Sequence, residues 1–248
     1  MVAWDPPRLV IFDCDGVLVD SEILACGVQA RAINAYGLPL STEDIARRFL
    51  GMSARDMRAE LELNLGRPLP EDHEARCAEE LFALFRSELK AVPGMREVVE
   101  RLRRAAHPRC VASSSTPERI ALALKIASLK DCFGQNVFSS TQVRRGKPAP
   151  DLFLHAAQSM AYAPAACLVV EDSPNGIKAA RSAEMLAIGF LGGAHCAPTQ
   201  ADALLQAGAH RVCHDAKELA ETLSELAGAE LAPPALNADR PPPPAARG

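Results

Sequence analysis

Asp13 and Asp15 stand one residue apart at the end of an apolar run, Leu9-Val10-Ile11-Phe12, and Gly16 follows them. Two carboxylates held this close repel each other unless a cation or a shared proton offsets the charge. Such a pair suits metal-assisted or acid–base chemistry, and the plainer alternative is an Asp-rich turn. A buried parallel strand reads as a continuous apolar run, and function in open α/β sheets gathers just past the carboxyl ends of such strands. Gly16 lets the chain turn away at that point without a Cβ penalty.

Three further segments carry polar groups of the same kind. Val111-Ala112 runs into Ser113-Ser114-Ser115, and Thr116-Pro117 then reads as the cap and first residue of a helix. Hydroxyls and backbone N–H groups gathered there can hold an anion. In Gly146-Lys147-Pro148-Ala149-Pro150-Asp151 two prolines restrict the backbone around one lysine. Lys147 can then neutralise a phosphate and a nearby carboxylate as a point charge. Leu168-Val169-Val170 ends in Glu171-Asp172, with Ser173-Pro174 opening the next helix. Carboxylates from two neighbouring strand ends suit Mg²⁺, a hard ion that takes few protein oxygens and keeps water and phosphate ligands. Each segment alone has a bland counterpart: a capped turn, a solvated loop lysine, exposed acids. Together, in this order and each at a strand end or the loop beside one, they form a phosphate-handling set.

The elements that must position these residues can be read from the pattern. Strands are expected at Leu9–Phe12, Arg109–Ser113, Val137–Phe138, Cys167–Glu171, Leu186–Leu191 and Arg211–Cys213, with helices at Pro117–Ala127, Asp151–Met160 and Asn175–Ala183. This alternation predicts an α/β fold with a Rossmann-like, doubly wound parallel sheet. Between Asp20 and Val92 the periodicity is helical. Leu24, Val28, Ile33 and Tyr36 share a face before a stop at Gly37, and Met57-Leu61-Leu65 and Leu81-Phe85-Leu89 repeat at i, i+4. The expected organisation is a core of residues 1–19 and 92–227, an inserted all-helical cap at 20–91, and a tail at 228–248. That tail is rich in Pro and Ala and is expected to be disordered.

The 248 residues are 48% hydrophobic and 23% charged, which is ample for a packed core. A net charge of −4 and the lack of a dense Lys/Arg stripe argue against a nucleic-acid partner, and Arg103-Arg104 reads as a solvated helix face. No apolar run is long enough to span a bilayer, and the N-terminus has no signal-peptide pattern. The eight cysteines include no C-x-x-C pair, so reduced thiols and a cytoplasmic location are expected.

With these motifs in this order, the chain resembles the haloacid dehalogenase superfamily over roughly residues 8 to 226. The closest pattern is that of the beta-phosphoglucomutase-like sugar-phosphate phosphatases with a helical cap. The resemblance implies a Mg²⁺-dependent phosphatase acting on a small phosphorylated metabolite. Asp13 matches the nucleophile that forms an aspartyl-phosphate, and Asp15 the general acid and base. Ser113, with Ser114 beside it, matches the phosphate-binding hydroxyl, and Lys147 the lysine of the third motif. Asp13, Asp15, Glu171 and Asp172 are the expected metal-binding acids. Arg55, in the loop Gly51-Met52-Ser53-Ala54-Arg55, is the candidate cap contact to substrate, with an ordinary surface arginine as the alternative. Dehalogenases lack an acid at the position of Asp15, which points to C–O–P chemistry. Mutases of the beta-phosphoglucomutase type carry a His where this chain has Ala25, which favours hydrolysis over mutase-type phosphotransfer. The non-enzymatic alternative is a phospho-accepting receiver-like module, but its acceptor would be expected midway along a domain without a helical insert. A monomer is expected, with a dimer as the alternative.

Overall fold

The computed structural model describes residues 8–49, 52, 54–197 and 199–227. The tail expected to be disordered, and Gly51 and Ser53 of the expected cap loop, lie outside the described residues. Six strands form one sheet in the order β3-β2-β1-β4-β5-β6, every neighbouring pair parallel. They are β1 (Leu9–Phe12), β2 (Arg109–Ser113), β3 (Val137–Ser139), β4 (Cys167–Glu171), β5 (Leu186–Phe190) and β6 (Arg211–Cys213). The expected strands are all present, β3 one residue longer and β5 one shorter than read.

Strand β1 is buried on both faces, and its side chains divide by strand alternation. Val10 and Phe12 enter one apolar cluster with helices α5 (Met95–Arg104), α6 (Pro117–Ile126), α7 (Lys130–Phe133) and α11 (Ala216–Ala227). Leu9 and Ile11 enter the other with α8 (Asp151–Ser159), α9 (Pro174–Ser182) and α10 (Gln200–Gln206). This is why the strand reads as unbroken hydrophobic sequence. Ile11 is fully buried, so Ile11→Ala is expected to cost about 2–5 kcal/mol in urea unfolding. A loss well under 1 kcal/mol would mean that the site is not packed as described. Arg103 and Arg104 occupy the exposed last turn of α5, where cations meet the negative end of the helix dipole.

Among the described residues, four helices lie between β1 and α5: α1 (Glu22–Ala35), α2 (Thr42–Phe49), α3 (Ala54–Leu65) and α4 (His73–Glu88). Cys26, Ala30, Ile33, Ile45, Phe49 and Leu61 give α1, α2 and α3 an apolar cluster of their own. Val28 of α1 and Leu81 and Phe85 of α4 face the other way and join the sheet-side cluster. The helical character read from the sequence is correct. Helix α2 was not resolvable from periodicity, since only Ile45 and Phe49 of its eight residues are buried.

The order reverses at β1, which lies between β2 and β4. A crevice outside the carboxyl ends is expected at such a switch point. In register, Phe12 sits level with Val111 on one side and Val170 on the other. The residues just beyond those three therefore emerge at the same edge.

Candidate active site

Asp13 continues β1 by one residue, its N–H donating to the Val170 carbonyl at 3.0 Å. The chain then turns tightly, with the N–H groups of Leu18 and Val19 both donating to the Cys14 carbonyl. Gly16 holds φ = +80°, and a Cβ there would fall 2.1 Å from Asp172 Oδ2. Glycine is needed at this position both for its backbone conformation and for the close approach.

Lys147 gathers the site. Its Nζ donates to Asp13 Oδ1 at 2.8 Å, Glu171 Oε1 at 2.7 Å and the Ala112 carbonyl at 3.0 Å. All three ammonium hydrogens thus have an acceptor. The ammonium also lies 4.8 Å from the centre of the Phe153 ring. Burial pushes the Lys147 pKa down, but Asp13 and Glu171 outweigh it and the net shift is upward. Burial raises the Asp13 carboxyl well above the usual range. Lys147 opposes this, while Glu171, Asp172 and Asp15 add to it. Burial also lifts Asp172 to about 6, against the hydrogen bond from His195.

Asp13, Glu171 and Asp172 bring carboxylate oxygens within 4.8 Å of one another, all three residues buried. Three oxygen donors pressed together against burial are the donor set a hard cation would relieve, so these residues fit Mg²⁺. Asp15, expected among the metal-binding acids, is not in this cluster. Its carboxylate is already engaged elsewhere.

Ser21 and Arg119 donate to Asp15 Oδ1 at 2.5 and 2.8 Å, and Ser115 and Ser113 to Oδ2 at 2.6 and 3.3 Å. Burial alone would raise the Asp15 pKa, but Arg119, Ser115 and Ser21 together hold it below the usual value. In this arrangement Asp15 is a charged acceptor. To act as an acid it must first part from Arg119.

Of the serines, Ser113 is fully buried, binding Asp15 and accepting from the Ser115 N–H at 3.1 Å. Ser114 is exposed and its carbonyl accepts from Ser140 Oγ, so the inward hydroxyl beside Ser113 belongs to Ser115. Arg55 is exposed in the first turn of α3, with no contact to the aspartates among the described residues. Ala25 lies partly buried on α1 against the sheet-side cluster.

Sequence reasoning missed Arg119, Ser21, Glu22 and His195, and singled out Ser114 where Ser115 turns inward. Arg119 left a signal. It is the third residue of α6, donating its N–H to the Thr116 cap, and a cation in a helix's first turn opposes the dipole. It is held there by Asp15 and by the Phe85 ring of α4, 5.5 Å from the guanidinium carbon. Arg119→Ala would leave Asp15 without its charge partner. We expect a loss of about 2–3 kcal/mol in urea unfolding, partly recovered in Arg119→Lys. Equal stability of Arg119→Ala and the parent would show that the pair is not formed in solution. Glu22, in the first turn of α1, is lifted to about 7 by burial, with the charge on Asp15 adding to the rise.

Residues 7–184 match the haloacid dehalogenase-like hydrolase family. A phosphorylated carbohydrates phosphatase of Thermotoga maritima is 36% identical over 179 residues, 70% of this chain and 80% of that protein. A 6-phosphogluconate phosphatase of Escherichia coli is 29% identical over 192 residues, 76% of this chain and 85% of its own. A haloacid dehalogenase family hydrolase from Deinococcus radiodurans, solved with bound phosphate and sodium, superposes with a TM-score of 0.77 at 34% identity, covering 93% of this chain and 99% of that one. With the sheet order, the strand-end acids and the bridging lysine in place, the chain belongs to the haloacid dehalogenase-like hydrolase family.

Proposed function

We propose that this protein is a Mg²⁺-dependent phosphatase that hydrolyses a small sugar phosphate or related phosphorylated metabolite through an aspartyl-phosphate on Asp13. The observation that carries this reading is Lys147 bridging Asp13 and Glu171 at the sheet edge, beside Asp172. Asp13, Glu171 and Asp172 would hold the ion, which supplies positive charge against the phosphoryl oxygens. The names of the Thermotoga maritima and Escherichia coli relatives support a phosphorylated carbohydrate as substrate.

The chain's own residues do the rest. Lys147 keeps one Asp13 oxygen bound and leaves the other free to attack phosphorus, lowering the repulsion between two anions. The phosphoryl group moves to Asp13 and the substrate oxygen leaves, so one difficult displacement becomes two. Ser113 and Ser115, now bound to Asp15, line the place where phosphoryl oxygens arrive. An arriving phosphate competes with Asp15 for Arg119 and these hydroxyls. Parted from Arg119, Asp15 keeps the burial that raises its pKa and takes up a proton from solvent, which it gives to the leaving oxygen before later taking one from the attacking water. The helices α1–α4 act as a cap that excludes bulk water and contacts the sugar, with Arg55 as a candidate contact.

The test is phosphate release across a panel of phosphorylated hexoses, sugar acids and phosphoglycolate-like compounds with Mg²⁺ present. We expect multiple turnover on at least one sugar monophosphate. A single stable phosphorylation without turnover would favour a phospho-accepting module. Ala25 offers no donor, acceptor or charge to couple cap closure to a second phosphotransfer. Phosphorus NMR on glucose 1-phosphate with a trace of bisphosphate should therefore show free phosphate with little 6-phosphate isomer. Fast isomerisation with negligible free phosphate would make the protein a mutase.

A further inference from the structure

The loop after β5 brings a second kind of donor to the edge of the acid cluster. His195 Nε2 lies 2.8 Å from Asp172 Oδ2, and the His195 side chain is 1% exposed. Cys196 Sγ lies 3.3 Å from the same nitrogen. One oxygen, one nitrogen and one sulfur thus stand within 4.8 Å of one another. Adjacent residues ordinarily point apart, and here a turn closed by the Cys196 N–H on the Gly193 carbonyl folds both side chains back. The turn is tied to the strand β1 side through the Ala194 N–H, which donates to Asp20 Oδ1 at 2.7 Å. The approach is built for closeness. A Cβ on Gly16 would come within 2.6 Å of the His195 ring, and one on Gly193 within 2.9 Å.

The geometry points to a second cation site, formed by Asp172, His195 and Cys196, for a borderline-soft divalent ion of the Zn²⁺ type, mutually exclusive with Mg²⁺ because both need Asp172. The site itself rests on these three residues, whereas its antagonism to Mg²⁺ rests on the function proposed above. Zn²⁺ takes thiolate, imidazole and carboxylate ligands at about 2.0–2.3 Å in a tetrahedron, which sets neighbouring donors roughly 3.3–3.8 Å apart. The Sγ–Nε2 spacing already matches, and the Oδ2–Nε2 pair has to open by about half an ångström once the ion replaces their hydrogen bond. Sulfur and imidazole are poor partners for Mg²⁺, so the two donor sets sort ions by softness. Binding sends the Cys196 thiol proton and the proton shared by His195 and Asp172 to solvent, and no electrons move. Cys196 is only partly buried, which leaves a way in and a fourth position for water.

Co²⁺ is the probe, because a thiolate ligand gives it a near-ultraviolet charge-transfer band and a tetrahedral site gives intense visible bands. Full-length protein stripped with chelator should bind one such Co²⁺ per chain, and Zn²⁺ should bleach the spectrum. Cys196→Ala and the isosteric Cys196→Ser should abolish the charge-transfer band. His195→Gln should weaken binding by at least about tenfold. Cys77→Ala, which removes the other cysteine lying near a histidine ring (His73, 3.9 Å), should change neither. A band that survives in both Cys196 variants, or vanishes in Cys77→Ala, would overturn the site. On the wild type, saturating Zn²⁺ should raise the Mg²⁺ needed for half-maximal phosphate release at least about tenfold, and less in Cys196→Ala. An unchanged Mg²⁺ requirement alongside a confirmed Co²⁺ spectrum would overturn the exclusivity. A protein with no phosphatase activity would refute the proposed function, leaving the Co²⁺ spectra to decide the site.

Discussion

Asp13→Asn is expected to fold like the parent and to lose phosphate release by on the order of 10⁴-fold or more, because the attacking anion is gone while shape and size remain. The fold should survive for a physical reason. Asp13 is buried with its pKa pushed well up, so removing its charge relieves repulsion from Glu171 and Asp172 even as the ion pair with Lys147 is lost. The measurement is steady-state phosphate release, with the melting temperature followed in parallel. A folded Asp13→Asn protein that retains a substantial part of the parental rate would end the nucleophile assignment.

The second large effect concerns the ion. Chelator should abolish turnover and Mg²⁺ should restore it. Asp172→Ala should raise the Mg²⁺ concentration for half-maximal activity by at least about 100-fold, since losing even an outer-shell partner of a ligand costs 10–100-fold. Asp172 is one of only three buried acids that cluster near Lys147 among the described residues, and burial already lifts it to about 6. Full activity in chelator would contradict the metal assignment. An unchanged Mg²⁺ requirement in Asp172→Ala would move the ion to other ligands.

What the chain revealed in advance divides along physical lines. Strands β1, β2 and β4 were legible because both faces of the sheet are covered, so burial leaves unbroken apolar runs in the sequence. Asp13, Ser113 and Glu171 were legible because each directly ends such a run or extends it by one residue. Lys147 was legible from the two prolines that stiffen its loop. What holds Asp15 was not legible. Its partners come from 6, 98, 100 and 104 residues away, and no local pattern announces a contact of that span. The same holds for His195, brought to Asp172 by a turn after β5 that no strand or helix periodicity encodes. Ser115 rather than Ser114 is inward because the backbone turns between them after β2 ends. That one-residue choice depends on the turn and not on composition.

The central claim is a covalent phosphoryl group on Asp13. Acid quench within milliseconds of mixing enzyme, Mg²⁺ and a turned-over sugar phosphate, followed by peptide mass spectrometry, tests it most directly. The account predicts that the peptide spanning residues 9–20 gains one phosphoryl group, placed on Asp13 and removable by hydroxylamine, in the parent and not in Asp13→Asn. A phosphoryl group on any other residue, or none on the parent while it turns over, would contradict it.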